Sequence, residues 1–284
     1  MLSIIILNYN HKNLLKNCLK SLKEAGLKLD YEIIITDNNS NDGSQEFLSK
    51  FKVYPVKSCK AGSPMAKFNR VKSLKFKVIL NSQNNGYAQA NNQAIKLAKG
   101  KYVLILNPDV IVLPNSIEQL IKYLQKNKKA GMVGPQLLNP DKTVQNSCYN
   151  FPKLITPAVR RTFLGKLPGF KKELARYLML DFDHQQIKEV DWLIGACLMI
   201  KKEVLEKVGY FDERYFLYFE DVDLAKKVWQ AGYKVVYFPK VQMIHFHRRL
   251  SADRSALVSL FSKITWVHIS SALKFFIKWR GGRK

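Results

Sequence analysis

Four short apolar runs, each halted by a cluster rich in Asn, Asp or Gly, constrain this chain more than any other feature. They are residues 2–7 before Asn8-Tyr9-Asn10, 31–36 before Asp37-Asn38-Asn39, 78–80 before Asn81, and 102–106 before Asn107-Pro108-Asp109. Nearly continuous apolar runs of this length suit strands buried on both faces, as in a parallel α/β sheet. Helical patterns lie between them. Leu14, Leu15, Cys18, Leu19 and Leu22 share one helical face, 46–51 continues as a short helix, and 88–98 reads as a helix stopped by Gly100. Asn10 suits a helix N-cap. The alternation predicts a mostly parallel sheet with right-handed crossovers. Ligands of such sheets bind beyond the carboxyl ends of the strands, where these polar clusters fall.

Asp109 is the sharpest candidate. Pro108 cannot donate to a sheet ladder, so pairing should stop and the carboxylate should face a crevice. A hard cation carrying phosphates would find oxygen ligands there. The same Asp also suits a turn capping the helix predicted over 115–125. The glycine fingerprint of dinucleotide-binding units and the Walker A sequence are both absent, so phosphates must be held another way, and a metal is the obvious candidate. The basic segment 58–77 breaks the rhythm and reads as a long loop.

The second half is mixed. Residues 132–138 read as a strand, and 192–200 as a strand-like run around Gly195. The aromatic run 215–219 leads into Glu220-Asp221, and Val222, Ala225, Val228 and Trp229 mark a helix closed by Gly232. Strands follow at 234–238 and 241–244, then His245-Phe246-His247. Residues 150–183 show only weak periodicity and give no assignment.

A formal charge of +25 over 284 residues points to an anionic partner: nucleic acid, a membrane surface or a phosphorylated substrate. A nucleic-acid-binding protein is the alternative this charge raises. The chain lacks a helix-turn-helix signature, zinc-finger spacing and an RNA-binding strand motif. Cys18, Cys59, Cys148 and Cys197 form no Cys-x-x-Cys pair, and Cys18 and Cys197 fall in apolar patterns as small buried residues. That usage fits a reducing, cytoplasmic location. No apolar run approaches the ~20 residues a membrane-spanning helix needs.

The motifs, taken in order, resemble the family 2 glycosyltransferases of the GT-A fold, in particular their rhamnosyltransferase-like branch. The resemblance rests on Ser3–Asn10, Thr36–Ser44, Asn84-Asn85-Gly86-Tyr87-Ala88 with Asn91-Asn92, Leu106–Asp109, Gly195–Met199, Tyr210–Asp212 and Phe219–Leu224, and spans residues 2–251. It implies transfer of a sugar from a nucleotide donor with inversion, in cell-surface polysaccharide synthesis. It places Asp37 on the base, with further donor contacts at Asn8, Asn10, Asn39, Asn85, Gly86, Asn91, Asn107 and Asp109. Asn107-Pro108-Asp109 takes the place of the Asp-x-Asp metal motif, with Asn107 an amide. Asp109 would then be the main carboxylate on a Mg²⁺ or Mn²⁺ ion, joined by His245 or, alternatively, His247.

The resemblance also makes Glu220-Asp221 the catalytic pair, with Asp221 the base, and puts acceptor contacts at Trp192, Gly195 and Ala196. Acids in a first helical turn are equally favoured by the helix dipole, so Asp221 and Asp223 have that reading too. A catalytically inactive scaffold of the same fold is a further alternative, against which the intact Asp109 and Glu220-Asp221 stand. Two departures concern acceptor or phosphate contacts: the basic 58–77 segment, and Arg248-Arg249-Leu250 after the histidines.

The expected organisation is a catalytic domain over 1–250, divided into a nucleotide-sugar-binding half (1–110) and an acceptor half (111–250), then a basic amphipathic helical tail over 251–284. From Lys240 onward there are ten Lys/Arg and one acid, Asp253. Leu257, Leu260, Phe261, Ile264, Trp266 and Val267 recur at helical spacing, and Phe275, Phe276, Ile277 and Trp279 follow among Lys274, Lys278 and Arg280. Such a helix suits the interface of an anionic bilayer or packing on the domain. The resemblance favours a glycan or lipid-linked saccharide acceptor, and with it peripheral contact at the cytoplasmic face of a membrane.

Overall fold

The computed structural model describes residues 1–51, 75–161, 165, 167–246 and 262–280. Cys59, His247, Arg248, Arg249, Leu257, Leu260, Phe261 and most of the basic 58–77 segment lie outside the described residues. The exception is the end of that segment, which is strand: β3 runs Lys75–Leu80 rather than starting at Val78.

β1 (Leu2–Asn8), β2 (Tyr31–Asp37), β3 and β4 (Tyr102–Leu106) pair in parallel in the order β3-β2-β1-β4. Helices α1 (Lys12–Glu24), α2 (Ser44–Leu48) and α3 (Gly86–Lys96) connect them. The near-continuous apolar runs follow from burial on both faces. Along β1, Ile4 and Ile6 join the core under α1, while Ile5 joins the core under α3. Asn10 does not cap α1. His11 sits at the N-cap without a side-chain bond, and the Lys12 N–H goes instead to Asp42, 2.8 Å away in the loop after β2. A loop distant in sequence has replaced the local cap.

The sheet continues through β10 (Cys197–Lys201), β6 (Ala130–Leu138), β11 (Lys234–His245) and β5 (Val110–Ile111), with β8 (Lys188–Glu189) beside β11. β10 is antiparallel to both β4 and β6, and β11 is parallel to β6. β11 joins the two expected runs into one strand, with a register shift between Phe238 and Gln242. The expected 192–200 strand is two. β9 (Trp192–Leu193) pairs with β7 (Cys148–Tyr149) in a small separate sheet, and the chain turns through Ile194-Gly195-Ala196 before β10.

α4 (Ser116–Lys126) lies under one face with α1; α7 (Lys202–Val208) and α8 (Glu220–Gln230) lie under the other with α3. The weakly periodic stretch 150–183 holds α5 (Thr156–Arg161) and α6 (Pro168–Leu178). Cys18, Cys148 and Cys197 are buried and free. α9 (Lys263–Lys278) packs on the domain: Ser271, Ala272 and Phe275 are buried in the core that holds α8 or against its rim. No helix among the described residues is long and apolar enough to cross a membrane.

Candidate active site

The carboxyl ends of β1, β2, β4 and β11 and the turn before β10 converge on one edge of the sheet. In the β1–β2 register Asn8 is the partner of Asp37, so amide meets carboxylate. The Asn8 Nδ2 donates to Asp37 Oδ2 at 2.7 Å, and Ser40 donates its N–H and hydroxyl to the two Asp37 oxygens. Both Asn8 and Asp37 are fully buried. They shape the loops after β1 and β2, in which Asn10, at φ 55, and Asn39, at φ 68, are both exposed. Asn10 Oδ1 accepts from Asn41 N–H.

A second asparagine ladder holds the next loop. Asn38 Oδ1 accepts from Asn85 N–H and Asn81 Nδ2, and its own Nδ2 donates to Asn84 and to the Gly86 carbonyl. Gly86 has φ +78, and a Cβ there would lie 2.5 Å from the Phe216 carbonyl. Only glycine permits that close approach of two backbones. Asn91 is buried and bonds back to the Tyr87 carbonyl, while Asn92 ties α3 to Phe211 and Glu213.

Asp109 and His245 come together because Val110 pairs with His245 across β5 and β11. The Asp109 carbonyl accepts from Phe246 N–H, and its carboxylate Oδ1 lies 3.4 Å from His245 Nε2. His245 is buried, and its Nδ1 contacts Gln145 Oε1 at 2.6 Å. That amide oxygen accepts a hydrogen bond, so Nδ1–H donates to Gln145, and Nε2 is the ring nitrogen that faces Asp109. Asp109 Oδ1 is buried with no hydrogen-bond partner among the described residues. It does not cap α4. Asn115 sits at that N-cap without a side-chain bond.

A carboxylate oxygen and an imidazole nitrogen at this spacing fit two positions on one divalent ion. The described residues contain no cluster of three or more such ligands, so an ion here would need other oxygens as well. A nucleoside diphosphate has them.

Glu220 and Asp221 open α8 after two consecutive left-handed residues, Tyr218 (φ 69) and Phe219 (φ 67). Such backbone is costly for non-glycine residues and is held by the surrounding packing. It turns Asp221 toward Gly195, whose N–H donates to Asp221 Oδ2 at 3.0 Å. Val222 N–H donates to Oδ1. Burial pushes the Asp221 carboxyl up to about 6, with those two N–H donors pulling the other way. Burial, then the neighbouring Asp221 charge, pushes Glu220 well above the usual carboxylate range.

Tyr87 joins the two carboxylate centres. Its hydroxyl lies 2.7 Å from the Gly195 carbonyl and 3.1 Å from the Asn107 amide, and Asn107 N–H bonds to the Ala196 carbonyl. Tyr87 was legible only as part of the Asn-Gly-Tyr motif, and Gln145 had no sequence signal. Trp192 belongs to the small β7–β9 sheet next to the turn at Gly195. It is buried, stacked on Tyr149 at 4.5 Å, with its Nε1 on the Asn150 carbonyl.

This architecture, with carboxylates and amides gathered at the strand ends, is that of a GT-A glycosyltransferase. Solved structures share it. GalNAc-T7 with UDP, GalNAc and Mn²⁺ superposes with a TM-score of 0.60 at 17% identity, over 87% of this chain and 44% of that one. A mannosyltransferase from Pyrobaculum calidifontis with GDP-Man and Mn²⁺ gives 0.55 at 16% identity, over 100% and 76%. The model for glycosyl transferase family 2 matches residues 3–209, and the chain belongs to that family. Glu220, Asp221 and His245 lie beyond the matched span.

Among curated proteins, the chain is 28% identical to the N-acetylglucosaminyl-diphospho-decaprenol L-rhamnosyltransferase of Mycobacterium tuberculosis, over 89% of this chain and 78% of that one. It is 23% identical to the rhamnosyltransferase WbbL of Escherichia coli K12, over 99% and 94%. The protein is a glycosyltransferase similar to rhamnosyltransferases.

Proposed function

We propose that this enzyme transfers a sugar, rhamnose from dTDP-rhamnose, with inversion, to a lipid-linked saccharide in cell-surface polysaccharide synthesis. The observation that carries this reading is the pairing of two carboxylate centres across Tyr87, Asn107 and Gly195: Asp109 with His245 on one side, Asp221 on the other. Both rhamnosyltransferase relatives support the choice of sugar, and the Mycobacterium tuberculosis relative supports that of a diphosphate-linked lipid acceptor. The expected division into donor half 1–110, acceptor half 111–250 and tail belongs to the same proposal.

Asp109 Oδ1 and His245 Nε2 would hold a Mg²⁺ or Mn²⁺ ion with the donor diphosphate. When bound, that ion neutralises charge developing on the nucleoside diphosphate. The loops at Asn39 and Asn85-Gly86 border the donor, and the buried Asn8-Asp37-Ser40 network fixes their shape. Asp221 takes the proton of the acceptor hydroxyl as its oxygen bonds to the anomeric carbon. The bond from that carbon to the diphosphate oxygen breaks on the opposite face, which inverts the centre. A carboxyl near 6 is ionised at neutral pH yet basic enough to accept that proton.

Asp221→Asn is the test. Transfer should fall by about 10²–10⁴ while donor binding changes less than a few-fold. Full transfer by that variant would remove Asp221 as the base.

A further inference from the structure

The outward face of α9 carries four large apolar side chains in one line. Trp266, Ile269, Leu273 and Ile277 are 63%, 39%, 54% and 61% exposed. Their spacing of three, four and four residues stacks them along one side of the helix, opposite the buried Ser271, Ala272 and Phe275. Exposed Lys263, Lys274 and Arg280 flank the line, and residues 263–280 contain no Asp or Glu. Isolated exposed apolar residues need no explanation, but a continuous line of this size marks an interaction surface.

We propose that this face is the surface by which the enzyme docks on an anionic phospholipid bilayer. Charge selects the occupant. A second copy presenting the same face would bring like charges together on two chains that each carry +25. Lipid phosphates would meet Lys263, Lys274 and Arg280 with opposite charge, while Trp266 and the aliphatic side chains enter the headgroup boundary.

The surface continues to the edge of the candidate active site. Phe216, 43% exposed, shares a shallow groove with Lys263, Trp266, Val267 and Lys274. Its carbonyl accepts from Tyr87 N–H at 2.7 Å, beside Gly86. The inner face of α9 is fixed to the segment that carries Glu220-Asp221. Ser271 donates to the Leu217 carbonyl, Lys278 binds both Asp212 and Asp223, and the Trp279 indole donates to Asp223 Oδ1 at 2.9 Å. A membrane under α9 would therefore lie against the same rigid unit that presents the catalytic pair. The purpose of docking rests on the reading of a lipid-linked acceptor, but the binding itself does not.

Co-sedimentation of the full chain with phosphatidylglycerol-containing vesicles and with pure phosphatidylcholine vesicles tests the proposal. The wild type should bind the anionic vesicles at least about tenfold more tightly, and added salt should weaken that binding. Trp266→Glu with Leu273→Glu should reduce it by about tenfold or more, as should the milder Ile277→Ser to a smaller degree. Transfer to a water-soluble, short-chain diphosphate acceptor should stay within about twofold, since these side chains face away from the core.

Absence of wild-type binding to anionic vesicles, or unchanged binding by both variants, overturns the proposal. So does a wild-type dimer in solution that the Glu variant dissolves, because a second copy is then the occupant. Vesicle binding without transfer to any acceptor leaves docking standing and counts against the functional reading instead.

Discussion

Asp221 is held between two opposing influences. Burial raises its carboxyl to about 6 from an ordinary 3.8, and the N–H groups of Gly195 and Val222 limit the rise. The rate should follow the ionised form: kcat/KM should climb about tenfold per pH unit below 6 and level off above it. A flat profile across that range would remove the raised carboxyl from the rate. Stability has the opposite sign. The folded state binds the proton more tightly than the unfolded chain, so stability is gained at low pH and lost as pH rises from about 4 to 6. Asp221→Asn removes this titration but leaves one of the two N–H donors facing an amide NH2, so its stability should lose the pH dependence between about 4 and 6, read from denaturant unfolding.

At the other centre, Asp109→Ala should remove most metal-dependent donor binding and leave the fold intact, because Asp109 Oδ1 bonds to nothing else among the described residues. Titration of the donor with and without Mn²⁺ measures it. Equal Mn²⁺ dependence in the variant would place the ion elsewhere.

Two elements carry the site. The loop at Gly86 depends on backbone contact with Phe216, so Gly86→Ala meets both an unfavourable φ and a 2.5 Å clash. It should cost ~1–3 kcal/mol and weaken the donor, seen as a lower Tm and a higher KM together. α8 depends on α9. Asp223 is fully buried and bonded by Lys278, Trp279 and Tyr215. Lys278→Ala would leave that carboxylate underpaired and should cost ~1–3 kcal/mol, less than a fully buried pair because Lys278 is partly exposed. Unchanged unfolding would show that Trp279, Tyr215 and Lys227, 4.0 Å away, suffice. The helical tail was legible as an amphipathic pattern. Its partner was not, since nothing in sequence ties Lys278 to an acid 55 positions earlier.

Across the whole molecule, what sequence revealed and what it hid follow one physical rule. The β1-β2-β4 strands were legible because each is buried on both faces and stopped by polar residues, a local signal. The break at Ile194-Gly195-Ala196 was not, because contacts distant in sequence, with Tyr87, Asn107, Ser147 and Asp221, turn the chain there. Likewise Asn10 looked like a cap until a loop from beyond β2 supplied Asp42. Of the site, Asp109, His245 and Asp221 stood out by residue type and order, whereas Tyr87 and Gln145 gain meaning only from strand and loop register. On the proposed reading, these two carboxylate centres serve one sugar transfer. A panel of dTDP-, UDP- and GDP-sugars with Mn²⁺ and a diphosphate-lipid GlcNAc acceptor, read by mass spectrometry, tests it most directly. The expected result is a mass gain of one deoxyhexose from dTDP-rhamnose, lost in Asp221→Asn. No product from any donor, or undiminished product from that variant, would contradict it.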